Sequence, residues 1–160
     1  MGLVNHPRHY NARKDGIECI NIVRNYTFDI GSAIKYLWRA GLKTEEGMTD
    51  REKEIEDLEK TIWCVRDYRS SYCCQPCRTE ARLEDMERLV LQTTGYSVGQ
   101  IVEPYDKNVA DAMTGLLMMG LIVNGHVVNY EFFAAEENNI VFALKVRIEE
   151  LMRCPSIHQE

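Results

Sequence analysis

The sequence has no apolar run long enough to span a bilayer. Its first residues, Met1-Gly2-Leu3-Val4-Asn5-His6-Pro7, lack the charged-then-apolar order of a signal peptide. Position 6 is His where an N-myristoylation motif needs Ser or Thr. A cytoplasmic protein without a membrane partner is expected. Positive charge is scarce too: 19 Lys and Arg stand against 25 Asp and Glu, a formal net charge of −6. That balance argues against a general duplex-DNA binder. Small anions stay open as ligands, because they respond to local rather than total charge. No Gly-x-x-x-x-Gly-Lys-Ser/Thr phosphate loop and no Gly-x-Gly-x-x-Gly turn occur, nor a His-Glu-x-x-His helix or a Gly-x-Ser-x-Gly elbow. Three glutamates, Glu52, Glu56 and Glu59, lie at near-turn spacing, but a magnesium-dependent pyrophosphohydrolase would need a second acidic motif that the chain lacks.

What is present is a compact cationic stretch, Gly31 to Lys43. A helix there places Ile30, Ile34, Leu37 and Trp38 on one side. Lys35 and Arg39 stack one turn apart on another. Gly41 stops the helix and Lys43 follows just past its end. Before it, residues 5–16 read as a polar loop in which His6, His9 and Tyr10 offer hydrogen-bonding groups. Residues 17–26 suggest a short amphipathic helix carrying Glu18, and Asp29 is the expected cap of the cationic helix. After it, Thr49 and Glu52 fit a capping box that opens a helix running to about Tyr68. Ile55, Leu58, Ile62 and Val65 form its buried stripe. Asp57, Lys60 and Cys64 lie on an adjacent strip, with Trp63 partly turned towards it, and they gain meaning only if this helix packs beside Lys35 and Arg39.

Six cysteines without an export signal read as free thiols rather than disulfides. Cys73, Cys74 and Cys77 supply only half of a zinc site, so no zinc is expected. The broken pattern around them, residues 73–78, is the expected linker between a module at 1–72 and another at 79–160. In the second module the spacing predicts helices over 80–93, near 96–102, from Asp106 or Asn108 through Met119, and over about 139–153. Asn124-Gly125 between β-branched residues predicts a hairpin near 121–130. The fold expected is therefore mainly α, a small helical module followed by a helical module with a β-hairpin, in winged-helix-like order. Its presumptive reading helix carries Asp111 and no arginine, which removes the phosphate contacts that DNA binding needs.

Four blocks in order carry a family resemblance: Asn5-His6-Pro7-x-His9-Tyr10; Gly16-Ile17-Glu18-Cys19-Ile20; Gly31-x-Ala33-Ile34-Lys35-Tyr36-Leu37-x-Arg39-Ala40-Gly41-x-Lys43; and Glu56-Asp57-Leu58-x-Lys60 with Trp63. They resemble the small phage domain, long described as of unknown function, that also forms the C-terminal part of the nucleotide kinase of T-odd coliphages. The likeness spans roughly residues 4–69. Ser32 stands where that family usually has Asn, and Glu59 where a second lysine is common. The resemblance implies a nucleotide-binding first module and nucleoside monophosphate phosphorylation without a phosphate loop, with ATP as donor and Mg2+ as cofactor. On that reading Lys35, Arg39 and Lys43 bind phosphates, Lys60 adds charge, and His6, His9 and Tyr10 close over the ligand. Tyr36 and Trp63 line the pocket, and Glu18 or Asp57 holds magnesium or a sugar hydroxyl; Lys35, Arg39 and Glu18 are the catalytic candidates. Two other classes remain: a non-catalytic protein that sequesters a nucleotide or cyclic nucleotide, and a winged-helix regulator. A homo-oligomer is expected, because two small helical modules bury too little apolar surface alone.

Overall fold

A computed structural model describes residue 10 and residues 13–72, 83–121 and 130–153. It is built of helices α1 (Cys19–Val23), α2 (Phe28–Arg39), α3 (Asp50–Tyr72), α4 (Leu83–Thr94), α5 (Val98–Val102), α6 (Lys107–Met119) and α7 (Tyr130–Arg153). Among the described residues there is no strand. The hairpin near 121–130 falls mostly on residues 122–129, which lie outside the described ones. At its edges the prediction fails. Leu121 continues the turn that closes α6, and Tyr130 already belongs to α7, which begins nine residues before the expected start at 139. Strand geometry for a winged-helix arrangement is therefore absent from the described residues.

Local chemistry sets most boundaries. At the start of α3 the Thr49 amide donates to Glu52 at 2.8 Å and the Glu52 amide donates to the Thr49 hydroxyl at 3.2 Å, closing the expected capping box. Asp106 caps α6 by accepting from the amides of Asn108 and Val109 at 3.0 and 3.1 Å. The N-cap of α2 is Thr27 rather than Asp29, which sits inside the first turn, where its charge complements the helix dipole. Past α2, Gly41 takes φ +73°, a left-handed conformation that stops the helix there.

Helices α2 and α3 pack antiparallel, with Asp57 opposite Arg39 and Thr61 opposite Ala33. Helix α7 covers α3 and α6, tied to α3 by Arg147–Glu54 at 2.8 Å and Arg69–Glu137 at 2.7 Å. One hydrophobic core takes residues from both sides of the 73–78 segment: Ile30, Ile34, Leu37 and Trp38 from α2, Leu58 and Val65 from α3, Met113, Leu116 and Leu117 from α6, and Leu144 from α7. The segment at 73–78 itself lies outside the described residues. Close approach at Gly115 in α6 and at its C-cap, Gly120, joins these parts. A Cβ at Gly115 would lie 2.7 Å from the Ile140 side chain, and one at Gly120 would overlap the Tyr26 ring. The Tyr26 hydroxyl donates to the Leu117 carbonyl at 3.1 Å, so the chain between α1 and α2 is anchored on α6. Cys19 and Cys64 are free and buried, whereas Cys73, Cys74, Cys77 and Cys154 lie outside the described residues. No helix among the described residues is long and apolar enough to cross a membrane.

Candidate functional site

The antiparallel packing of α2 on α3 brings the two charged strips together. Arg39 is buried, and its guanidinium donates through Nε to Asp57 Oδ2 at 3.0 Å and through Nη2 to Asp57 Oδ1 at 2.9 Å. Its remaining nitrogen, Nη1, donates to the Tyr10 hydroxyl at 3.2 Å. Burial opposes the charge on Arg39, but the Asp57 and Tyr10 contacts outweigh it and raise the guanidinium pKa above its ordinary value. Arg39 is thus held on three sides and shapes the site rather than offering an open fork. Asp57, fully buried, also faces the Lys53 ammonium at 3.4 Å.

Around this fork lies a ring of alternating charge. Lys53, 1% exposed, meets Glu45 at 3.1 Å and pairs with Glu56. Burial pulls its pKa down, yet these carboxylates more than reverse the effect and raise it. Glu56 pairs with both Lys53 and Lys60, which hold its carboxyl down at about 2. Glu45 also accepts from Lys43 at 3.1 Å, so the loop after α2 is tied to α3. Tyr36 carries two cations against its ring, Arg39 at 4.8 Å and Lys60 at 5.9 Å from the centroid. Lys35, exposed, stands 5.8 Å from the Tyr10 ring centroid. Five cations therefore meet three carboxylates on one face of a protein whose total charge is −6.

Most of the residues picked out in the sequence are found here: Tyr10, Lys35, Tyr36, Arg39, Lys43, Asp57 and Lys60. Trp63 stands 64% exposed on α3, one turn beyond Lys60. Glu18 is the N-cap residue of α1, half-buried and next to Cys19. The Cys19 thiol is pushed up to about 12 by burial, against the opposing pull of Lys35 and Arg39. His6 and His9 lie outside the described residues. Sequence reasoning missed Lys53 and Glu45. The available signal was the 53/56/57/60 spacing, which lines up two lysines and two acids on one side of α3. It missed Arg13 as well, which braces Trp38 from the N-terminal side at 4.9 Å from the ring centroid.

Magnesium tests poorly against these residues. Both Asp57 oxygens are taken by cations, and no cluster of three or more metal-ligating side chains occurs among the described residues.

The class defined so far is a helical protein with a cationic, tyrosine-flanked face between two antiparallel helices. Residues 4–65 match the model of a family described as a protein of unknown function, DUF3310, which covers α1, α2 and most of α3 and so contains this face. No curated protein and no solved structure matches the chain.

Proposed function

We propose that this is a phage-type nucleotide-binding protein that transfers a phosphoryl group, a nucleoside monophosphate kinase without a phosphate loop. One observation carries the reading: Lys35, Lys43 and Lys60 ring a face prepared by the buried Arg39–Asp57 pair and flanked by Tyr10 and Tyr36. Phosphoryl transfer asks mostly for positioning and charge neutralisation, which ammonium groups on a rigid helix pair provide. In this scheme ATP is the donor, the three lysines hold phosphate oxygens, Arg39 fixes the Tyr10 hydroxyl, and His6 and His9 close over the ligand. Exposed Phe28 (86%) and Phe142 (71%) supply apolar surface for a homo-oligomer.

A second reading has its own support. Asp57, the buried carboxylate that a general base or a metal site would use, is already neutralised by Arg39 and Lys53. A face that grips phosphates without such a group suits a protein that sequesters a nucleotide or cyclic nucleotide. Incubation with ATP and a panel of monophosphates, followed by chromatography, separates the two. New diphosphate is the expected product. Depletion of free ligand that heat returns unchanged would favour sequestration instead. Unaltered, unbound nucleotide together with retention on duplex DNA at moderate salt would overturn both in favour of a regulator.

A further inference from the structure

One residue before Arg39, Trp38 projects about 100° around the same helix, away from the charged ring and onto a cavity of about 520 Å³. Its walls include Trp38, Leu42, Pro104 and Tyr105, with Lys14 and Glu103 among the charged lining residues. The wall geometry is fixed from several directions. The Trp38 indole donates to the Tyr10 carbonyl at 3.1 Å, and the Tyr105 ring meets it edge to face at 6.3 Å and 67°. Arg13 stacks over the indole and is itself pinned to α5 through the carbonyls of Gln100, at 2.6 Å, and Ile101. Leu42, half exposed, leaves an apolar lip beside the opening.

A volume of this size fits a small molecule rather than a peptide. Aromatic and aliphatic walls favour a planar apolar ring. The charged residues carry both signs, which suits a ring edge that offers both hydrogen-bond donors and acceptors. The charged lining balances, with Arg13 paired to Asp15 and Lys14 set against Glu103, which favours a neutral polar ring over a charged one, and a lipid tail would leave those charges unused. The chain supplies a connection as well. Lys43, whose ammonium reaches Glu45 in the charged ring, directly follows Leu42. Tyr10 gives its hydroxyl to the Arg39 side and its carbonyl to the Trp38 side.

We infer that this cavity is the base-recognition pocket, taking a nucleobase against Leu42, Pro104 and the accessible part of Tyr105, with the buried Trp38 indole (1% exposed) forming the floor behind them, while the phosphates turn past Lys43 onto the cationic face. This rests on the nucleotide reading above and adds which part of the protein chooses the base. Glu103 accepts from an amino group on the ring, and Lys14 donates to a ring carbonyl or nitrogen.

The chain has two tryptophans, so the Trp63→Phe variant leaves Trp38 as the sole indole emitter. The probes are the four common ribonucleosides, their monophosphates and inorganic tripolyphosphate, followed by Trp38 emission and by calorimetry. At least one nucleoside is expected to change Trp38 emission saturably. Adding Leu42→Arg, a change at an exposed position, is expected to weaken that nucleoside at least tenfold while leaving tripolyphosphate binding intact or tighter, because the added cation lies beside Lys43. Monophosphate binding that leaves Trp38 silent and ignores Leu42→Arg would overturn the pocket and keep the nucleotide reading. A wild-type emission change that vanishes in Trp63→Phe would place the base on Trp63 and would also overturn it. Failure of tripolyphosphate and monophosphates with retained nucleoside binding would sink the nucleotide reading and keep the cavity as a nucleobase site. Silence from all three probe classes would remove both.

Discussion

Arg39 and Asp57 grip one another by two parallel hydrogen bonds, at 3.0 and 2.9 Å, between helices α2 and α3. The family resemblance cast Arg39 as a phosphate ligand. Its burial and its paired fork make it part of the frame. Asp57→Ala leaves a buried guanidinium without its partner and should cost about 3–5 kcal/mol in urea unfolding. Joint replacement, Arg39→Met with Asp57→Leu, should recover most of that loss, because both buried charges go together. A double variant destabilised by the full sum of Arg39→Met alone and Asp57→Leu alone would show that the pair does not act as a unit.

Ligand gripping should follow the opposite pattern at Lys35. It is exposed, and its contact is the Tyr10 ring rather than a buried acid. Lys35→Ala should leave the urea midpoint unchanged and weaken binding of ATP or tripolyphosphate about 10- to 100-fold, the range of a charge-assisted hydrogen bond of about 1.5–3 kcal/mol. Calorimetry at low and at 0.5 M salt checks this, since an exposed charge contact should fade with screening.

What could be read from the sequence, and what could not, divides along local and tertiary chemistry. Thr49 with Glu52 and Asp106 before α6 announced helix starts because a cap needs only neighbours in the chain. The early start of α7 was hidden for two reasons. Asn124-Gly125 is a strong turn signal next to it, and Glu137 sits on the buried stripe one turn before Ile140. A carboxylate there breaks the apolar period; only the tertiary contact with Arg69 explains it. Lys53 is the same problem within the site. A lysine in a helix reads as a solvated charge, and its burial depends on Glu45, eight residues back across a loop. The Trp38 cavity was equally illegible, since Arg13 and Tyr105 reach it from far apart in the chain.

The junction of α6 with the α1–α2 turn should tolerate no added volume. Gly120 faces the Tyr26 ring so closely that a methyl group would overlap it, and the ring is held by its hydroxyl on the Leu117 carbonyl. Gly120→Ala should destabilise by about 1–3 kcal/mol, as overpacking does. Pairing it with Tyr26→Ala should relieve the clash while forfeiting the aromatic packing. Thermal unfolding of the two singles and the double variant tests the coupling; strictly additive effects would argue that the two residues do not press on each other.

Acid should loosen the charged ring before the core. Glu56 is held from 4.5 down to about 2 by its hydrogen bonds to Lys53 and then Lys60. Its folded pKa is depressed, so its contribution to stability is present in full above the unfolded value and is lost as pH falls through the folded one. The window is therefore from about 4.5 to about 2. Glu45, also lowered by its lysine partners, loses its contribution in the same direction. Amide-exchange protection factors, taken relative to the intrinsic rate at each pH, should fall in the 43–49 loop and the first turns of α3 across that window, while those of α6, whose inner face is Met and Leu, hold. In Glu56→Gln the acid-dependent step should shrink, because the charge being titrated is gone. An unchanged acid step in that variant would mean that the lysines draw this stability from another carboxylate, Glu45 first.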